Sequence, residues 1–259
     1  MFGTNPVMKQ DFGDGQSLWV QEIFDTIQGE GPYTGHPAVF IRLAGCNLQC
    51  FFCDTDFTSS VWTPTIEEIV NHIHGINFNY PRSLVVLTGG EPMRQNIIPL
   101  IKKLTALMYH VQIETAGTLW VPGLEPYLDT HKVSIVCSPK AGKVHAMIEK
   151  YCFDYKYIVS EKDASPDDGL PVLSTQVQGL QAKIYRPNLL STHIWVQPME
   201  AYEHFTNSIL MRASDRKSVT FATARDHNTT LANVRFATKI AMKYNYRLSL
   251  QTHKILGLP

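Results

Sequence analysis

No apolar run in the chain is long enough to span a bilayer. The opening MFGTNPVMKQDFGDGQ holds no basic stretch followed by an apolar one, so no secretory leader is expected. An excess of one charge is missing too. Lysine and arginine number 23, aspartate and glutamate 23, and the formal net charge is +0. No broad field therefore draws in nucleic acid or an acidic membrane, and no basic stripe is interleaved with aromatics. Cysteine is scarce: five in 259 residues, an odd number at spacings unlike a disulfide framework. Thiols that must stay available suit a reducing compartment, and a cytoplasmic location is expected. With 44% hydrophobic and 18% charged residues the chain can bury a core, and its length fits one domain over residues 1–259.

What is present alternates between β-rich runs and helical patterns. AVFIRLA (38–44), SLVVLTGG (83–90), HVQIETAG, KVSIVCSPK, DYKYIVS and HIWVQPME read as strands, and YRLSLQTHKIL returns as a last one. Helices are expected at 65–75, where Thr65 and Glu68 form a capping box, at 96–109 and at 228–244. Alternation of this kind implies an α/β fold with a parallel sheet, here an open, TIM-like partial barrel of about six strands. The distinctive polar clusters all follow strands: the cysteines, then TGGEP, ETAGT and SPK. Chemistry in such folds sits at the carboxyl ends of the strands. The segment 160–188, rich in turn formers and acids, reads as a surface insertion of no evident role.

The sharpest signal is GCNLQCFFCDT, which puts Cys46, Cys50 and Cys53 within eight positions. Three thiolates on one compact loop fit a 4Fe–4S cluster whose fourth iron stays open for a ligand. Zinc with a distant histidine as fourth ligand is the alternative. Cys137 and Cys152 read as small buried residues.

The C-x-x-x-C-x-x-C spacing, with Phe52 before the third cysteine, resembles the radical S-adenosylmethionine superfamily, and TGGEP (88–92) is similar to that superfamily's methionine-binding segment. Further stretches resemble the 7-carboxy-7-deazaguanine synthases: IFDTIQGEGPYTGHPAVFIRLAGCNLQCFFCDT, IETAGT, CSPK, WVQPME and QTHKILGLP. The resemblance runs from about Glu22 to Pro259, apart from 160–188. It implies the radical-type barrel and conversion of 6-carboxy-5,6,7,8-tetrahydropterin to 7-carboxy-7-deazaguanine with release of ammonia, in 7-deazapurine and queuosine biosynthesis. A homodimer and a flavodoxin or ferredoxin reductant are implied as well.

Site roles follow from the same resemblance. S-adenosylmethionine would meet Phe52, Cys53, Asp54, Gly90, Ser138, Pro139, Lys140 and Gln197. The pterin would meet the backbone of Ile27, Gln28 and Gly29, together with Glu30, Arg42, Thr88, Glu114, His253 and the carboxylate of Pro259. Thr55 would hold Mg²⁺, which keeps several waters and needs few protein oxygens. Plainer roles stay open: a surface salt bridge for Arg42, caps for Glu30 and Glu114, a turn for Thr55 and a frayed tail for Pro259. Because RLSLQTHKILGLP is apolar to its end, the tail is expected to pack inward. A glycyl-radical-enzyme activase, and a non-enzymatic iron–sulfur or zinc protein, remain as rival functions.

Overall fold

Valine, isoleucine and leucine concentrate in short runs that pair in chain order. The strands are β1 (Val20–Ile27), β2 (Pro37–Leu43), β3 (Leu84–Gly89), β4 (His110–Thr115), β5 (Val133–Cys137), β6 (Asp154–Val159), β7 (His193–Pro198) and β8 (Arg247–Leu248). They come from a computed structural model that describes residues 5–53, 55, 57, 61–76, 84–176, 182–188, 192–202 and 226–259. One sheet runs from β1 to β8. The β1–β2 pair is antiparallel, and every later pair is parallel. Helices α1 (Ile66–Ile76), α2 (Ile98–Ala106), α3 (Glu125–Asp129), α4 (Ala146–Tyr151), α5 (His227–Tyr244) and α6 (Thr252–Ile255) complete the chain order.

The sheet has eight strands where about six are expected from the sequence. β1 escapes notice because Glu22, Asp25 and Thr26 interrupt its apolar residues. β8 is two residues long, and the strand expected over 246–256 gives way to α6, whose Thr252 N–H donates to Gly29 O at 3.2 Å. Gly29 has no room for a side chain: a Cβ there would lie 2.0 Å from His253 Nδ1. The expected inward packing of the apolar tail is corrected likewise. Ile255 is 74% and Leu256 59% exposed, because the four-residue α6 turns them outward. The capping box does form, with Thr65 N–H donating to Glu68 Oε2 at 2.7 Å and Glu68 N–H to Thr65 Oγ1 at 3.3 Å.

Period-two alternation splits the sheet into two faces. Val39, Ile41, Leu87, Ile113, Tyr155 and Val196 lie in the buried core with Ile69 and Ile73 of α1, Leu100 of α2, Ile148 of α4 and Ile240 of α5. Intervening positions carry polar groups: Arg42, Thr88, Gln112, Glu114, Lys156 and Gln197. A parallel sheet covered on both faces would be apolar throughout. The polar face marks the concave side as a site.

β1 and β8 lie at opposite ends of the strand order. The side between them is bridged by polar contacts: Gly31 N–H to Ser249 Oγ at 3.0 Å, Gln251 Nε2 to Glu30 Oε1 at 2.8 Å and Thr26 Oγ1 to Pro259 O at 3.0 Å.

The two faces differ in what they cost to alter. Leu87→Ala, in the helix-covered core, is expected to lower the free energy of unfolding by about 2–5 kcal/mol. Thr88→Ser, one residue on and facing the cleft, should cost less than about 1 kcal/mol. Urea denaturation of both variants checks the assignment of faces.

Candidate active site

At the carboxyl ends of the parallel strands two cavities share a wall. The first, about 540 Å³, is lined by Cys46, Cys50 and Cys53 together with Phe52, Gly90, Ser138, Lys140 and Gln197. The second, about 850 Å³, is lined by Gln28, Arg42, Thr55, His253 and Pro259. Glu30, Thr88 and Glu114 face both.

β2 delivers the chain straight into the cysteine loop. The turn after β3 packs onto that loop: Gly90 N–H donates to Leu43 O and Glu91 N–H to Gly45 O, both at 2.9 Å. A Cβ at Gly90 would lie 2.0 Å from the Gly45 carbonyl oxygen, so only glycine fits. Buried Glu91 locks the turn to the end of β4, accepting from Thr115 Oγ1 at 2.8 Å, Ala116 N–H at 2.8 Å and Met93 N–H at 3.0 Å. Burial pushes its carboxyl up against those three donors. An N-terminal strap supports the loop from outside, with Met8 N–H donating to Cys46 O at 2.7 Å and Asn5 Nδ2 to Thr55 O at 2.9 Å.

All three loop cysteines line the first cavity, and none is in a disulfide. Burial and the Glu91 carboxylate push the Cys46 thiol up to about 12. Among the described residues no three His, Cys, Asp or Glu side chains are placed to hold a single ion. A cubane cluster does not require that convergence, because its thiolates go to different irons. No described histidine lines the cysteine cavity, so the zinc alternative does not find its expected histidine there. Three soft donors on one glycine-backed loop fit a cluster.

The shared wall is built on a lysine that the sequence reading missed. Lys156 of β6 is buried and donates to Glu30 Oε2. Gln251 Nε2 and Gln197 Nε2 also donate to Glu30 Oε1, at 2.8 and 3.3 Å. Burial alone would push the Glu30 carboxyl up, but the Lys156 ammonium and the hydrogen bonds from Lys156 and Gln251 outweigh it and hold the group at about 2. Burial also opposes the charge on Lys156, yet Glu114 and Glu30 together hold the ammonium above the ordinary lysine range. Lys140, at the end of β5, is instead lowered by burial; its ammonium donates to Ser138 O at 3.1 Å and lies 5.9 Å from the Phe52 ring centre.

Three expected site residues line neither cavity. Pro139 and Gly29 are buried, and Ile27 ends β1 paired with Pro37. Asp54 lies outside the described residues. Edge recognition by the backbone of 27–29 meets prior commitments: Gln28 N–H donates to His36 O at 2.8 Å, Gln28 O accepts from Gly35 N–H at 2.8 Å, and Gly29 O takes Thr252. The Gln28 side chain is equally occupied, donating to Gln112 Oε1 at 2.9 Å and Glu114 Oε1 at 3.1 Å. Arg42 lines the second cavity while its Nε bonds Glu22 Oε1 at 2.5 Å and its guanidinium lies 5.6 Å from the Phe24 ring centre.

Removing one partner of a buried ion pair leaves an uncompensated charge. Lys156→Met is expected to cost about 3–5 kcal/mol of stability at neutral pH. The double variant Glu30→Gln/Lys156→Met should cost less than the sum of the single variants, as read by urea unfolding. Glu30 sits below its ordinary 4.5 in the folded protein. Its contribution is therefore complete above that pH and is lost as pH falls toward 2, which acid unfolding of the wild type and Glu30→Gln checks.

The family model described as the Radical SAM superfamily matches residues 40–152. The whole chain is similar to the 7-carboxy-7-deazaguanine synthase of Rhodospirillum rubrum, at 42% identity over 265 residues covering 100% of both chains. It is 36% identical to that of Rickettsia prowazekii over 264 residues, covering 100% of this chain and 96% of the relative. Among solved structures it is similar to QueE from Escherichia coli, with a TM-score of 0.60 at 21% identity, covering 92% of this chain and 96% of that one. At that identity the structural likeness speaks to fold, and the full-length relatives decide membership. The chain belongs to the 7-carboxy-7-deazaguanine synthase family of the radical S-adenosylmethionine superfamily.

Proposed function

We infer that the protein contracts the ring of 6-carboxy-5,6,7,8-tetrahydropterin to give 7-carboxy-7-deazaguanine, with loss of ammonia. The observation that carries this reading is the charged wall common to the two cavities: a thiol-lined chamber on one side and, on the other, one with a cation for a carboxylate and acceptors for a pterin edge. When bound, the cluster and S-adenosylmethionine would supply the one-electron chemistry that activates a substrate C–H bond. The chain supplies position, charge and dryness.

Cys46, Cys50 and Cys53 would hold the cluster, with Phe52, Gly90, Ser138, Lys140 and Gln197 around the cosubstrate. Phe57, Val136 and Ile158 give the first cavity an apolar lining that would limit water around the reacting atoms. In the second cavity Glu30 and Glu114 would accept from the amino and ring N–H groups of the pterin. Lys156 keeps Glu30 ionised, so it accepts at neutral pH. Arg42, steadied by Glu22, would take the substrate carboxylate with its guanidinium fork. Thr55 faces the same cavity as Arg42 and Thr88, a position suited to one hydroxyl ligand of Mg²⁺, whose other sites water and substrate oxygens would fill. Thr26 holds the backbone of Pro259 and His253 is packed on Gly29, which fits both at the rim of this cavity.

Among the described residues no helix is long and apolar enough to cross a membrane. A cytoplasmic location, a homodimer and a flavodoxin or ferredoxin donor belong to the same reading.

The direct test is anaerobic reconstitution followed by incubation with the carboxylated tetrahydropterin, S-adenosylmethionine, reductant and Mg²⁺. Mass spectrometry should find 7-carboxy-7-deazaguanine with equimolar ammonia; cleavage of S-adenosylmethionine without either product would overturn the assignment. Arg42→Lys is expected to lower kcat/KM by about 10–100-fold, the worth of a charged hydrogen bond, chiefly through KM. Steady-state kinetics over a range of pterin concentration reads that split.

A further inference from the structure

The 160–188 segment reaches the cysteine loop. Phe51 N–H donates to Thr175 O at 3.0 Å, and Cys50 and Gln176 form an antiparallel bridge. The hydroxyl of Thr175, 7% exposed, lies 3.1 Å from Cys50 Sγ, and Gln176 Nε2 lies 3.4 Å from the same sulfur. The orientation of the Gln176 amide is determined by its other end: Oε1 accepts from Gln49 N–H at 3.0 Å, so the face turned to sulfur must be the NH₂. The segment is anchored on Lys140 in the wall of the same cavity, where Thr175 N–H and Ser174 Oγ donate to Lys140 O, each at 3.1 Å, and where Thr175 Oγ1 and Gln176 Nε2 also come within 3.3 and 3.4 Å of that carbonyl. Ser174 N–H bonds Ala182 O at 2.8 Å, closing the segment on itself. Two side-chain donors from more than a hundred residues away thus converge on one of the three sulfurs.

We propose that Thr175 and Gln176 are positioning residues that tune the redox poise of the iron–sulfur group held by Cys50, by donating hydrogen bonds to its thiolate. The proposal rests on the reading of Cys50 as a cluster ligand. Donors to a ligating sulfur withdraw electron density from the metal and favour the reduced state, which carries one more negative charge, so the reduction potential rises. The same contacts tie the Cys50 loop to Lys140 in the wall of the same cavity, so the poise is set where the cosubstrate is expected to bind.

The test uses the full-length protein, reconstituted without oxygen and studied in the absence of S-adenosylmethionine and pterin. Iron and sulfide are assayed, and the midpoint potential is measured by dye-mediated titration followed by EPR. Thr175→Val and Gln176→Met are each expected to move the potential to more negative values at unchanged iron content, with a larger negative shift in the double variant. Thr175→Ser, which keeps the hydroxyl, should stay at the wild-type potential. Two results overturn the proposal alone: fully loaded variants with the wild-type potential, or variants that lose iron while the cluster remaining titrates as wild type, which would make the contact a structural clamp. A wild-type chain that takes up no iron and sulfide overturns the ligand reading itself, and the proposal with it.

Discussion

The buried pair of Lys156 with Glu30 is the contact on which the rest of the site leans. Lys156 projects from β6 on the concave face, and Glu30 follows β1 at the opposite edge of the sheet, so a single ion pair spans the barrel interior. Ion pairs this deep gain little net stability, since desolvation offsets attraction. Their value lies in what goes wrong when one partner is missing. Gln251 from the approach to α6 and Gln197 of β7 both complete the Glu30 carboxylate, and Gln28 and Gln112 bring Glu114 into the same network. The charged groups of the interior thus draw partners from β4, β6 and β7 and from the segments after β1 and before α6. They can stay charged inside a fold whose other face is aliphatic.

The cysteine loop obeys a different constraint. To hold a cluster through three cysteines, the loop would have to keep their sulfurs apart without help from a helix or strand of its own. Here three separate pieces do this: the strap of residues 5–8 on one flank, the Gly90–Glu91 turn beneath and Thr175–Gln176 on the other flank. Glu91 is the hinge of that arrangement, since its carboxylate joins the turn after β3 to the end of β4. Phosphate-type or carboxylate-type sites often build such precision on helix termini. This one builds it from close backbone contacts at Gly90 and from the side chains of Asn5, Glu91, Thr175 and Gln176.

Much of this architecture could be read in the amino acids, and the reasons differ by element. β2 through β7 are visible because each is a run of β-branched or aromatic residues ended by a polar turn, and the cysteine triad because its spacing is rare. Lys156 stayed hidden because it stands between Tyr155 and Tyr157 in a strand, where alternation ordinarily points a lysine to solvent. Only an open barrel turns that position inward. Thr175 and Gln176 sit in a segment dominated by turn formers, and hydrogen bonds to a residue 125 positions away leave no local pattern. The backbone of Ile27–Gly29, expected to read a heterocycle edge, shows a related difficulty. Turns look available in a sequence, but here Gln28 N–H and O and Gly29 O are already bonded to His36, Gly35 and Thr252.

The seam between β1 and β8 gives the cylinder an unusual property. Where a fully paired barrel has a girth set by its strand number and stagger, this one is laced on one side by a few side-chain and loop contacts such as Gly31–Ser249, Thr252–Gly29 and Thr26–Pro259. Each lace is worth only about 0.5–1.5 kcal/mol net. Opening that side would therefore cost a handful of individually weak contacts, where opening a closed barrel would cost a continuous strand ladder.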